Sequence, residues 1–256
     1  MKAYLSLCHK EWLEILRTYR LWIMLAVFVI IGLMNPMAAK FTPALLEGIG
    51  SSGGIVFEVP EPMALDSWAQ FFSNTVQLGT IALIIVFMGL IANEFSRGTL
   101  VNILTKGVPR ASIILAKLTV AIAVWTGSYL VCLGVTWGYT VYFWDPITLP
   151  HALLAFGAIW LWGVYLIALI GLGGVWLGST TGALLTSVVG GIIVPLVVSI
   201  IPQTGRFNPI SLAGGPYALL TGQGLPSDFI PAVLVTAGIT LAAVIGSILV
   251  FNRKTI

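Results

Sequence analysis

Residues 93–117 read NEFSRGTLVNILTKGVPRASIILAK, the only densely charged and punctuated segment between two long apolar runs. Upstream, residues 75–92 carry no charged side chain, and residues 118–144 downstream carry none either. Apolar runs of this length are stable in lipid as helices, because a helix forms the hydrogen bonds of its own backbone N–H and C=O groups. A short polar connector between two such runs must lie at a membrane surface. This stretch therefore predicts two membrane-spanning helices joined at one face of a bilayer.

The connector, residues 93–110, has the residues of a short helix of its own. Thr99 is a favourable N-cap residue, Gly107 is typical of a helix end, and Pro109 prevents continuation. The predicted helix has one apolar face, formed by Leu100, Ile103 and Leu104. Basic side chains surround this face: Arg97, Lys106 and Arg110. An apolar ridge ringed by positive charge indicates a docking element for a partner.

The composition places the whole chain in a membrane. Of 256 residues, 58% are hydrophobic and only 8% are charged, whereas a soluble domain has roughly 25% charged residues. The hydrophobicity falls into helix-length blocks, which favours a helical bundle over a barrel. We predict an all-α integral membrane protein with six transmembrane helices in one domain. The predicted spans are residues 21–39, 74–92, 112–142, 152–178, 183–201 and 229–251.

Residues 1–20 predict an amphipathic helix that lies in the membrane interface. Its apolar side chains recur at steps of three and four: Leu5, Cys8, Trp12, Ile15, Leu16 and Tyr19. The polar side chains are expected to face away: Lys10, Glu11, Glu14 and Arg17. The alternative is the start of a signal peptide. The carboxylates and the lack of a convincing cleavage site before Lys40 argue against it.

Two glycine- and proline-rich segments are predicted as loops at the opposite face, residues 40–72 and 202–228. Within the first, the part around Met63 to Phe72 is a candidate interfacial helix marked by Trp68. The third span ends in an aromatic belt that marks a membrane interface: Trp137, Tyr139, Tyr142, Phe143 and Trp144.

The basic residues predict the orientation. Six spans with a cytoplasmic N-terminus leave only Lys40 and Arg206 outside and place the other ten basic residues inside. Both termini and the connector are then cytoplasmic. We expect the protein in a bacterial cytoplasmic membrane.

The connector resembles the membrane subunit of type-2 ATP-binding cassette (ABC) exporters. That family has a Glu, a Gly-Thr-Leu, a Leu-rich turn, a proline loop with Arg, and a Lys seven residues after the Arg. The matching residues here are Glu94, Gly98, Thr99, Leu100, Leu104, Pro109, Arg110 and Lys117. Many members place the proline three residues before the Arg, where this chain has Gly107.

The resemblance implies a mechanism. Two six-span permeases, a second copy of this chain or a homologue, pair around a path, and each seats its cytoplasmic coupling helix on an ABC-type ATPase subunit. Glu94 and Arg97 would orient the connector, with Leu100, Ile103 and Leu104 in the groove of the partner. ATP and Mg would bind the partner. The sequence has no G-x-x-x-x-G-K-[ST] phosphate loop, so this chain is expected to be a transport subunit and not an enzyme, with no cofactor of its own.

The sequence gives little support to metal binding, catalysis or nucleic-acid binding. His9 and His151 fall on opposite sides of the predicted membrane, and no metal-ligand spacing surrounds Cys8 or Cys132. No catalytic residue and no nucleic-acid partner is predicted. The polar groups available to a translocation path are Asn35, Asn74, Gln77 and Ser187, although such residues more often bond between helices.

The cargo is inferred from the apolar spans. A path lined by Leu, Ile, Val, Met and Phe cannot replace the water around a small ion. A hydrophobic or amphipathic cargo is expected, first of all a peptide of the toxin or bacteriocin type moved out of the cell. Drug or lipid extrusion is the alternative within this class. A scaffold that relays an ATPase signal without transport is the alternative from another class.

Overall fold

A computed structural model describes residues 2–53, 61–97, 105 and 107–254, leaving aside the side chains of residues 2–3, 44–53, 96–97 and 202–203. It confirms the all-helical membrane fold, with no strand in the described ranges. The main helices are α1 Lys2–Arg17, α2 Arg20–Gly53, α3 Ala64–Phe95, α4 Arg110–Phe143, α5 Ala152–Leu177, α6 Thr180–Val198 and α7 Pro226–Arg253. The last six are long and apolar enough to cross a membrane. A 3-10 turn, Pro202–Phe207, and two short helices, Ser211–Gly214 and Pro216–Leu220, connect α6 to α7.

The segment predicted as a loop from residue 40 to residue 72 is largely helical in the two parts that the structure describes, residues 40–53 and 61–72. α2 continues through Pro43 to Gly53, and α3 begins at Ala64 and not at Asn74. The start of α3 is stabilised by Asp66, whose carboxylate accepts a hydrogen bond from the Met63 N–H at 2.8 Å. Trp68 is buried one turn further on. The glycine and proline content of this segment was therefore a misleading signal of irregular structure.

Proline inside α2 is tolerated because a neighbouring helix replaces the missing hydrogen bond. Pro36 has no N–H to offer the carbonyl of Gly32 one turn earlier. The Thr136 hydroxyl on α4 donates to that carbonyl at 3.1 Å. Gly32 makes this approach possible, because a Cβ there would lie 3.0 Å from the carbonyl oxygen of Cys132.

In α6, too, a neighbouring helix replaces a hydrogen bond that a proline cannot make. α6 contains a π-helical segment, Thr186–Ile193. The Val194 N–H bonds to the Val189 carbonyl, five residues back. The next donor in that series would be residue 195, which is a proline without an N–H. The Tyr165 hydroxyl of α5 donates to the Gly190 carbonyl at 3.2 Å instead. Tyr165 therefore satisfies a carbonyl that the sequence of α6 leaves open.

We expect Tyr165→Phe to lower the unfolding free energy by about 1–2 kcal/mol, because it leaves the Gly190 carbonyl unsatisfied. In a Pro195→Ala background the new N–H can bond that carbonyl, so the same substitution should cost much less. Denaturant titration of the four purified proteins in dodecyl maltoside measures both costs. An equal cost in the two backgrounds would show that Tyr165 does not replace the proline donor.

The spans are arranged around α5, the most buried of the six. It packs against α3, α4, α6 and α7, while α2 packs along α4. α1, the end of α3, the start of α4 and the end of α7 meet at one end of the bundle, which we term the connector end. The aromatic belt, residues 61–63 before α3 and the segment before α7 lie at the opposite end.

Candidate functional site

Five charged side chains form an ion cluster at the connector end. Lys117 Nζ lies 2.8 Å from Glu11 Oε2 and 3.0 Å from Glu94 Oε1. Lys10 Nζ lies 2.8 Å from Glu11 Oε1, 2.9 Å from Glu14 Oε2 and 2.9 Å from Glu94 Oε1. The ion cluster (Lys10, Glu11, Glu14, Glu94 and Lys117) joins three separate elements through two shared ammonium groups.

The local structure explains how these side chains meet. Glu11 and Lys10 are neighbours on α1, and Glu14 lies one turn after Lys10 on the same helix. Glu94 is in the short helix Ala92–Arg97, which overlaps the end of α3 and leads from the span into the connector. Lys117 lies about two turns into α4, because seven residues separate it from Arg110. The two helices on either side of the connector are thereby fixed to α1.

The centre of the cluster is buried. The Lys117 side chain is 1% exposed, and those of Glu11 and Glu94 are 6% and 7% exposed. Groups removed from water to this degree depend on their partners, since a lone buried charge is strongly destabilising. The second oxygen of Glu94, Oε2, is buried without a hydrogen-bond partner among the described residues. That oxygen is an acceptor at the point where the chain enters the connector.

The outer part of the cluster stays charged at neutral pH. Burial alone would lower the pKa of Lys10, but hydrogen bonds to Glu11 and Glu94 raise it above its ordinary value. Burial would raise the pKa of Glu14, but the hydrogen bond from Lys10 and the charge of Lys117 bring it below its ordinary value. Because both side chains remain partly exposed, solvent weakens their contribution to stability.

The three carboxylates also have the spacing of a metal site, since ligand oxygens of Glu11, Glu14 and Glu94 lie within 4.8 Å of one another. The Lys10 ammonium lies within 2.9 Å of all three. It already supplies the positive charge that a metal ion would bring. The arrangement indicates an internal ion network.

Arg110 makes a second link at the connector end. Its Nη1 donates to the carbonyls of Phe251 and Lys254 at 2.8 and 2.7 Å, and its guanidinium lies over the Phe251 ring. A cation at the last carbonyls of a helix is favourable, because those groups lack partners within the helix. Lys254 Nζ in turn lies 4.6 Å from the centre of the Phe95 ring. Arg110 and Phe95 thus tie both sides of the connector to the end of α7.

The central part of the predicted docking element lies outside the described residues. This holds for Gly98, Thr99, Leu100, Ile103 and Leu104, while for Arg97 only the backbone, at the end of Ala92–Arg97, is described. The structure places Glu94 and Arg110 at the two sides of that segment. Their roles in coupling, and those of the residues between them, stay predictions.

The partners of the charged residues correct one expectation and add contacts that the sequence did not predict. Glu94 bonds Lys10 and Lys117, and Arg110 bonds the end of α7. Glu11 was expected to face away with the polar side of α1, but it is buried against Lys117. The physical reason is the same in both cases, because a lysine buried in a span requires carboxylates, and the nearest ones are Glu11 on α1 and Glu94 at the end of α3.

The predicted path residues fall into different settings. Asn35 is fully buried, donates to Thr136 Oγ1 at 3.1 Å and accepts from Asn74 Nδ2 at 2.9 Å. This network links α2, α3 and α4 next to Pro36, where α2 lacks one backbone hydrogen bond. Ser187 is buried and donates to the carbonyl of Leu184. Gln77 is exposed and lines a cavity of about 390 Å³.

That cavity lies between α3 and the short helices before α7. It presents polar atoms of Ser73, Gln77 and Tyr217 beside the apolar side chains of Phe72 and Val76. Gln77 is therefore the one of the four path residues that the structure places on such a mixed surface. A role in translocation stays a prediction for all four.

Comparison with known proteins now identifies the family. Residues 5–213 match the family described as ABC-2 family transporter protein. The chain belongs to this family. Its members are permeases, the transmembrane subunits of ABC transporters, so the chain is a multi-pass membrane protein of that type. The family also implies a partner subunit with an ATP-binding cassette.

A curated relative has the same extent. The chain is 24% identical over 227 residues, 87% of each protein, to the "Uncharacterized transmembrane protein YxlG" of Bacillus subtilis (strain 168).

Proposed function

We propose that this chain is the permease of an exporter driven by a separate ATPase subunit, and that the ion cluster carries the motion of the connector into the spans. The observation that supports this is the position of Glu94. It ends the span before the connector and is bonded to Lys117 in the span after it and to Lys10 on α1. A displacement of the connector therefore acts on three elements together.

The ion cluster can transmit a displacement only if it is rigid. Ion pairs with both partners buried resist separation, since each opened pair would leave a desolvated charge. Glu94 Oε2, which has no hydrogen-bond partner within the described ranges, can accept a hydrogen bond from a donor of the connector. ATP and Mg would act on the partner chain, and a second copy of this chain or a homologous permease would complete the path.

The cargo proposed is hydrophobic or amphipathic, with a peptide of the toxin or bacteriocin type first and a drug or lipid second. The support is the mixed cavity at Gln77, which offers uncharged polar groups within an apolar wall. Such a surface suits a molecule with amide or hydroxyl groups and apolar side chains. Vectorial movement of a candidate peptide into inside-out vesicles tests export, and ATP hydrolysis without any movement would favour the relay scaffold.

We further propose that the connector end is cytoplasmic. Lys10, Arg110, Lys117 and Lys254 all lie at that end, which agrees with the positive-inside rule. A cysteine introduced at Ser211, in a chain without Cys8 and Cys132, should react with an impermeant thiol reagent in intact cells. Reaction only after the membrane is opened would reverse the orientation.

The docking prediction has a direct test. Leu100→Asp combined with Leu104→Asp should abolish co-purification with the ATPase, because two carboxylates would be desolvated in an apolar groove. The expected loss of affinity is about a hundredfold or more, which corresponds to roughly 3 kcal/mol or more. Pull-down of the ATPase with the tagged permease measures it.

A matched control adds two carboxylates at the opposite end, with Phe207→Asp and Leu225→Asp at exposed positions. This variant should keep the partner. Undiminished co-purification of the Leu100 and Leu104 variant would remove the coupling role from residues 93–110.

A further inference from the structure

The aromatic belt at the opposite end of the bundle borders a small cavity of about 220 Å³. The cavity lies between the start of α3, the end of α4 and the segment that follows α4. Its wall includes Trp68, Trp137, Thr140, Asp145, Ile147 and Leu149. The function proposed above does not use it.

Two tryptophans give the cavity its shape. Trp68 and Trp137 have ring centres 5.7 Å apart at an interplanar angle of 71°. Trp68 is buried and held edge-on by Phe71 at 5.8 Å and tilted against Phe156 at 5.3 Å. Trp137 is half-exposed. One wall is thus rigid and the other is open to a ligand that arrives from outside.

The polar groups of the wall define what charge the ligand carries. The Thr140 hydroxyl already donates to the Thr136 carbonyl at 2.7 Å and shares a hydrogen bond with Ser67 at 2.7 Å. Asp145 is the charged member of the lining set. A carboxylate next to indole rings attracts cations, because the ring faces carry negative potential.

The belt already holds one cation within the chain. Lys40 Nζ lies 5.5 Å from the centre of the Trp144 ring, and Trp144 is itself fixed by a hydrogen bond from Nε1 to the Pro62 carbonyl at 2.7 Å. A contact between an indole ring and a positively charged nitrogen is therefore already present beside the cavity.

We propose that this cavity binds the ammonium head of an amphiphile, a trimethylammonium group or one of similar size. The head would contact Trp68 and Trp137 with its charge near Asp145. The apolar tail would extend over the exposed side chains of Val141 and Ile147 at the rim. Recognition of quaternary ammonium groups by aromatic walls is an established use of this chemistry. The site is independent of whether its ligand is transported.

The test measures binding of decyltrimethylammonium to the full-length chain in dodecyl maltoside by isothermal titration calorimetry. Decyl sulfate and decyl maltoside, which share the tail, serve as anionic and neutral controls. We expect saturable binding of the cation at a single site and only weak partition of the two controls. Equal binding of all three would overturn the proposal, since the tail alone would then explain it.

Variants locate the site. Asp145→Asn and Trp137→Leu should each weaken binding about tenfold. Asp228→Asn removes an equal charge from an exposed pair with Arg206, and Tyr142→Leu removes an exposed belt residue outside the cavity wall. Both should bind as the unmodified chain does. Wild-type affinity in Asp145→Asn would overturn the proposal, and since Asp145 is exposed, misfolding is not expected to obscure the result.

Two sources of the ammonium group are separated by competition. Displacement of the probe by dihexanoyl phosphatidylcholine but not by dihexanoyl phosphatidylglycerol would identify a lipid headgroup as the ligand. Displacement by neither, with binding of the alkylammonium retained, would identify a free cationic amphiphile. Either result supports an ammonium site, while displacement by both lipids alike would contradict it.

Discussion

Lys117→Met is expected to lower the free energy of unfolding by about 3–5 kcal/mol, the usual cost of removing one partner from a buried ion pair. Methionine matches the length of the lysine stem, so the packing around residue 117 changes little. Among the described residues, Glu11 and Glu94 then keep the half-exposed Lys10 as their one cationic partner. Two carboxylates buried near each other with insufficient positive charge repel and are poorly solvated. SDS or heat titration of the purified chain in dodecyl maltoside measures the loss.

Two matched comparisons decide whether the cost arises from the ion cluster. Adding Glu11→Gln to Lys117→Met removes one of the stranded carboxylates and should recover a large part of the loss. Asp228→Asn breaks the exposed pair with Arg206, whose side chains are 72% and 43% exposed, and should cost at most about 1 kcal/mol. If Lys117→Met costs no more than that exposed pair, the cluster does not hold the three elements together.

The fold was predictable because the hydrophobicity of the chain dominates it. Six apolar runs of span length leave few alternatives to a helical bundle, and the six candidate spans follow. The limits of the helices were less predictable. The glycines and prolines of residues 40–62 predicted a loop, but α2 extends through Pro36 and Pro43 to Gly53. For Pro36 the Thr136 hydroxyl on another helix satisfies the freed carbonyl, and a single helix read alone gives no sign of it.

The site was predictable only in part. The sequence selected Glu94 and Arg110 as residues of the connector, but it did not predict their contacts with Lys117 and with the end of α7. Spacing along one helix shows which residues share a face, but it does not show which neighbour that face meets. Lys117 carried a usable signal. It is the single charged residue between positions 111 and 144, and an ionisable group within a span requires a partner.

The second large effect is expected at Gly163 in α5. A Cβ at this position would lie 2.1 Å from Cε2 and 2.3 Å from Cζ2 of Trp125. Trp125 cannot yield easily. Its Nε1 donates to the Trp160 carbonyl at 3.0 Å, its ring meets Phe28 edge-on at 5.4 Å, and it is 1% exposed. Gly163→Ala should therefore cost about 3 kcal/mol, at the upper end of the usual penalty for overpacking.

A second glycine of the same helix provides the control. Gly157 has no atom within 4 Å of an added Cβ, so Gly157→Ala should be neutral or stabilise the helix by up to about 1 kcal/mol. The cause of the cost at Gly163 is tested by removing the ring. In a Trp125→Leu background the added methyl group fills space that the indole has vacated, and Gly163→Ala should then be neutral or stabilising. A penalty of the same size in both backgrounds would show that the backbone of α5 requires glycine at this position for a reason other than the indole.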